Sequence, residues 1–231
     1  MKIASKKSLR FMLFLVSAII LAIPMGNVKA NEPKNSETIT KEELLENGVA
    51  PEKVDTLLEK IEKGQTVDAD LYVGKEENLV LATEENPNYK KVFPDGSFIE
   101  SKIEDITDEE NQNVISPRKV EQIGGTQENR TLKVSHIAVW GSQSFKVKVY
   151  FPQIGYSKIN QAYGWEYFGT VSGTDYKGIY RANETATADA VAIQKLNVTV
   201  PKTGISYLTK LEFRMRDGRF WDTYTQSKII P

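Results

Sequence analysis

The sequence predicts an α+β chain dominated by β structure, with a C-terminal antiparallel β-sandwich preceded by a short N-terminal helical hairpin. Three observations carry this. From Arg118 onward apolar residues recur with period two; between Thr40 and Gly64 they recur with helical spacing; and turn chemistry separates six or seven short strand-like runs at regular intervals. Such spacing favours a sandwich over a helical or parallel-sheet fold.

In chain order, the first segment is residues 1–30. Lys2, Lys6, Lys7 and Arg10 precede an apolar run of 13 residues from Phe11 to Ile23, and Val28-Lys29-Ala30 supplies a small-residue site. This is the layout of a secretory signal peptide, with cleavage expected after Ala30; a permanent span needs roughly 20 apolar residues. Residues 31–39 are polar and aperiodic and read as a flexible lead.

Residues 40–64 form the expected hairpin. Thr40 and Glu43 fit a capping box, Asn47-Gly48 supplies a stop, Pro51 suits a first helical position, and Val54, Leu57, Leu58 and Ile61 make one apolar stripe closed by Gly64. Helices this short are marginal alone, so the stripe docks either on the rest of the chain or on a separate protein.

Residues 65–117 read as an acidic segment with a β-turn at Pro94-Asp95-Gly96-Ser97, ending at Ser116-Pro117. Residues 118–231 read as the basic, aromatic-rich sandwich. Its strands are marked by Phe145, Val147, Val149 and Phe151, by Leu196, Val198 and Val200, and by Leu211, Phe213 and Met215, with Asp217-Gly218 as a two-residue hairpin turn. Within Gly155–Gly169, Tyr163, Trp165 and Tyr167 share strand parity and are expected on one face, whereas Tyr156 and Lys158, ahead of the strand, are the candidate contacts for an anionic ligand.

Composition narrows the chemistry. The chain has no cysteine, which excludes disulfides and zinc–thiolate sites. Its single histidine, His136, lacks a neighbouring acid or second histidine and reads as structural; no nucleophile elbow, phosphate loop or metal-protease motif occurs. No catalytic residue, metal or cofactor is assigned. The net charge of -1 hides a division: residues 31–116 hold 22 acids and 9 bases, residues 117–231 hold 9 acids and 16 bases. Opposite halves point to mutual attraction or to an oppositely charged partner. Without a nucleic-acid motif beside the basic half, the expected partner is an anionic cell-envelope polymer or a surface protein, with peripheral membrane contact as a further possibility.

Tyr156-Ser157-Lys158-Ile159 with Ala162-Tyr163-Gly164-Trp165, the alanine-rich run Ala186–Ala192 and the Arg216-Asp217-Gly218-Arg219 turn together resemble a family of small secreted β-domains from Gram-positive bacteria. The activity of that family is undefined, and a streptococcin-like, non-lantibiotic bacteriocin precursor is similar to it. The resemblance covers roughly residues 40–65 and 89–226. It implies a secreted, non-enzymatic protein acting at the cell envelope, bacteriocin-like in its most specific version; the alternative is a binding module for wall glycans or surface proteins without toxicity.

Overall fold

The computed structural model describes residues 39–74, 79–112, 128–169, 171–200 and 205–229. The expected leader, its Ala30 cleavage site, most of the flexible lead and the Ser116-Pro117 boundary lie outside these residues. Among the described residues, α1 (Lys41–Glu46), α2 (Pro51–Glu62) and α3 (Asp68–Val73) lead into β1 (Leu79–Thr83), β2 (Asn88–Val92) and β3 (Phe98–Asp105). After α4 (Thr107–Gln112) come β4 (Glu128–Ala138), β5 (Gly141–Phe151), β6 (Lys158–Gly169), β7 (Val171–Arg181), β8 (Ala190–Thr199), β9 (Ser206–Arg216) and β10 (Arg219–Ile229).

The strands form two five-stranded antiparallel sheets, ordered β1-β10-β9-β8-β7 and β2-β3-β4-β5-β6. Their inner faces make the core. Val134, Phe145 and Val147 from the second sheet and Ala192, Leu211 and Phe213 from the first are buried in it, as alternation requires when one face of each sheet is covered. Asp217 and Gly218 both take positive φ, of 53° and 73°, so Arg216 and Arg219 pair across a two-residue turn whose twist matches the strands.

The helices cover one end of the sandwich. Thr40 Oγ1 accepts from the Glu43 N–H at 3.2 Å while Glu43 Oε2 accepts from the Thr40 N–H at 2.9 Å, which fixes the start of α1. Leu44, Leu57 and Ile61 are buried in the same core as the strands, so the apolar stripe docks on its own chain. Polar contacts set the orientation: Asn47 Nδ2 donates to the Val139 carbonyl, and Lys60 bridges Asp68 at 2.7 Å and Asp95 at 2.8 Å. The turn carrying Asp95 lies so close to α2 that a Cβ on Gly96 would sit 2.4 Å from Lys53 Cβ.

Two expectations are corrected. Residues 65–117, expected as an acidic segment ahead of the sandwich, supply β1, β2 and β3, and β1 and β3 pair with β10 and β4. Within β3 the acids lie on the solvent side of an alternating strand: Ile99, Ser101 and Ile103 are buried while Glu100, Lys102 and Glu104 are partly exposed. A composition reading averages the two faces and sees a polar linker. Opposite charges also meet here, since Arg130 pairs with Asp105 at 2.8 Å and Glu84 at 3.1 Å.

The second correction concerns Tyr163, Trp165 and Tyr167. The β5–β6 register slips between Ser144 and Lys146, and Gly164 stands at φ 61° in the bulge. Tyr163 therefore faces outward opposite Lys146, with Lys148 Nζ 5.4 Å from its ring centroid, whereas Trp165 turns inward and stacks on Phe145 at 4.7 Å. One extra residue reverses the face of everything beyond it.

Candidate functional site

The outer face of the first sheet carries a groove of about 660 Å³, within the range of small-molecule and polymer sites. Register explains which side chains meet there. On β8, Val191, Ile193 and Lys195 alternate with the core residues Ala190, Ala192 and Gln194, and they stand opposite Arg214, Glu212 and Lys210 of β9. On β7, Tyr176 pairs with Lys195 and Arg181 with Val191. Val191 and Ile193 are buried despite lying outside the main core, so the groove has an apolar floor and charged walls.

Two tyrosines rise beside that floor. Tyr180 is 65% exposed and has the Arg181 guanidinium 5.8 Å from its ring centroid. Tyr176 donates to the Ile179 carbonyl at 3.4 Å, lying over Gly178, where a Cβ would stand 3.1 Å from the tyrosine oxygen. Tyr176 and Tyr180, four residues apart on β7, share its parity, and the register slip between Ile179 and Arg181 sets Arg181 opposite Val191 on the same outward face.

The walls are an ion-pair ladder. Glu212 takes Lys210 at 3.0 Å, Arg214 at 2.6 Å and the Thr223 hydroxyl at 3.1 Å. Burial acts to raise its pKa, but the hydrogen bonds and charges of Lys210 and Arg214 outweigh burial and hold it below the usual carboxylate range. Arg214 also reaches Asp189 at 2.9 Å. A carboxylate so ionised and so fully bonded suits the fixing of neighbouring cations and is a poor proton donor. Among the lining residues, Arg181, Lys195, Lys210 and Arg214 outnumber Asp175 and Glu212 by two, and Asp189 behind the lining neutralises part of that excess at Arg214.

Tyr156 and Lys158 lie elsewhere on the surface. Tyr156 is exposed in the β5–β6 loop beside Ile154, which is 90% exposed, and Lys158 opens β6 opposite Tyr150. A backbone bridge sets Lys158 against Asn183, two residues past Arg181, so both candidates sit beyond one end of the groove strand and neither lines the groove. The lining residues had a sequence signal in Lys210-x-Glu212-x-Arg214, a charge series on the outward parity of a strand. What the sequence lacked was the pairing that brings Tyr176 and Tyr180 alongside it.

His136 is buried, at 2% exposure, and stacks on Tyr224 with ring centroids 3.7 Å apart. It differs from a satisfied structural histidine in that neither ring nitrogen has a protein hydrogen-bond partner. Burial lowers its pKa to about 3, so it is neutral. Among the described residues no cluster of His, Asp and Glu is arranged to hold a metal ion.

Comparison with protein-family models, with characterised proteins and with solved structures gives no match for this chain.

Proposed function

We propose that this is a secreted, non-enzymatic protein that acts at the bacterial cell envelope by holding an anionic polymer along the groove of the β7–β8–β9 face. The observation that carries the reading is the pairing of two accessible tyrosines with a positive excess on an apolar floor. Tyrosine rings stack on sugar and polyol faces, and fixed cations select phosphodiester or carboxylate groups. Of the two versions drawn from the sequence, binding and antagonism, the groove supports binding.

The test is titration of the purified chain with poly(glycerol phosphate) and with whole cell walls across a salt series. Binding should weaken with salt, because exposed charges are screened beyond about 10 Å at 0.1 M ionic strength. Tyr180→Ala should lower affinity about tenfold, and Lys195→Glu should flatten the salt dependence, given that each tenfold is about 1.4 kcal/mol. No binding at low salt, or binding indifferent to both substitutions, would sink the reading.

A further inference from the structure

At the end of the sandwich covered by the helices, a small cavity opens between the two inner faces. Its volume is about 40 Å³. One water occupies on the order of 10–15 Å³ by the same measure, so the space takes about three non-hydrogen atoms and no complete ring.

The lining is unusual in being built yet unsatisfied. Gln143 is 4% exposed and its amide nitrogen has no protein partner, its oxygen being taken by the Thr209 hydroxyl at 3.5 Å. Both ring nitrogens of His136 are likewise unpartnered, whereas the Gln226 amide is engaged with the buried Asp70 carboxylate. Buried polar groups in folded proteins are overwhelmingly paired, and each left alone costs on the order of 1–3 kcal/mol. Leu196 and Val198 line the cavity as well, so an apolar contact and several hydrogen-bond donors share a very small space.

The mouth is aromatic. Phe168 lines the cavity and is 53% exposed. Gly141 and Gly169 permit this placement, because a Cβ on Gly141 would stand 1.9 Å from the Phe168 carbonyl oxygen.

We infer that this cavity receives the acetamido group of an N-acetylated amino sugar, the pyranose ring resting on Phe168 at the mouth. The size admits a methyl and a carbonyl. The amide donor of Gln143 matches the carbonyl oxygen, and neutral His136 offers one donor and one acceptor, as an amide requires. Leu196 and Val198 meet the methyl. A carboxylate fits worse: no cation lines the cavity, and Trp140 on its wall is hydrogen-bonded to the buried Asp70. The inference rests on the reading of the protein as a binder of envelope glycans, but it concerns a second, uncharged site.

The experiment is titration of the full chain with the trimer of N-acetylglucosamine, followed by side-chain amide and indole NMR signals. It is run at about 0.5 M salt, where the screening length is only a few Å and the groove is silenced. Saturable shifts at Gln143, Gln226 and Trp140 are expected. Glucosamine and glucose should bind at least about tenfold more weakly, since a site built to hydrogen-bond a group rejects the analogue lacking it. Phe168→Ala, at an exposed position, should weaken binding about tenfold without shifting the unfolding midpoint, and Gln143→Met should do so through the cavity floor.

Three results would overturn the inference: no saturable shift at about 10 mM sugar, beyond the millimolar range of weak binders; equal binding of glucose; or shifts unaffected by both substitutions, as for a cavity filled by water alone. Retained binding of the anionic polymer alongside any of these leaves the groove reading standing. Retained sugar binding with loss of polymer binding does the reverse.

Discussion

The indole N–H of Trp140 donates to Oδ2 of Asp70 at 2.9 Å, joining the β4–β5 turn to helix α3 across the covered end of the sandwich. Both groups are buried, and burial, the larger effect, raises the Asp70 carboxyl from 3.8 to about 6 against the opposing hydrogen bond from Trp140. Asp222 is raised to about 6 for the same reason.

These shifts set a pH dependence. Between about pH 4 and pH 6 the folded protein holds both protons while the unfolded chain has lost them, so their contribution to stability is full below about pH 4 and is lost as pH rises through 6. Lowering the pH from about 7 to about 5 should therefore add about 1 kcal/mol of unfolding stability per carboxyl, while buried His136, which only the unfolded chain protonates in this range, takes away roughly 2 kcal/mol, so the net change is small. Urea unfolding at the two pH values isolates one carboxyl when wild type and Asp70→Asn are compared: the variant's stability should change about 1 kcal/mol less favourably on going from pH 7 to pH 5.

Asp222 joins three elements. Its carboxylate accepts from the Ala82 N–H on β1 at 2.6 Å and from the Ser101 hydroxyl on β3, linking the two sheets at a fully buried position. Asp222→Ala leaves both donors unpaired and should cost roughly 2–4 kcal/mol, whereas Asp222→Asn keeps an acceptor and should cost less. Chemical denaturation of the two variants orders them; equal losses would mean that packing alone matters there.

Residues 118–231 should not fold alone. Removing the preceding segment takes away β1, β2 and β3, which cover one edge of the first sheet and the whole flank of β4, together with Leu44, Leu57 and Ile61 of the helical layer. Circular dichroism and dispersed NMR signals should be lost in this fragment and recovered on refolding with residues 31–117. A folded fragment would restore the acidic segment as a removable part. Leu57→Ala in the full chain should cost about 2–5 kcal/mol by the same logic of lost burial and residual cavity.

Gly141 and Gly169 face one another across the β5–β6 ladder, at φ 142° and 107°. A Cβ on Gly169 would lie 2.1 Å from the Trp140 carbonyl oxygen, so strands this close tolerate no side chain. Gly169→Ala should lower stability by more than about 1 kcal/mol, the usual scale of a backbone conformation that a side chain cannot adopt. It should also broaden the amide signals of Trp140 and Phe168.

Much of the fold was legible because it depends on local chemistry. The capping box at Thr40, the stripe Val54–Leu57–Ile61, the positive-φ turn at Asp217-Gly218 and the alternation of Phe145, Val147 and Val149 each follow from a few adjacent residues. The flanks of the Pro94–Ser97 turn read as strand-like, but that β3 joins the sandwich by pairing with β4 was hidden, because nothing local shows which strand it pairs with. The bulge at Gly164 was hidden for a related reason: a slip of one residue has no signature until the partner strand is known.

The sequence by itself determined the class of fold, the strand alternation of the C-terminal half and the opposite charges of the two halves, since these are properties of neighbours along the chain. Only the tertiary structure decided that β1–β3 complete the sheets, that Tyr176 and Tyr180 flank a groove with Lys195 and Arg214, and that the ring nitrogens of His136 and the amide nitrogen of Gln143 share one cavity without a protein partner. Those relationships join residues many positions apart in the chain through register and sheet order. A single sequence holds the residues but not the pairing that brings them together.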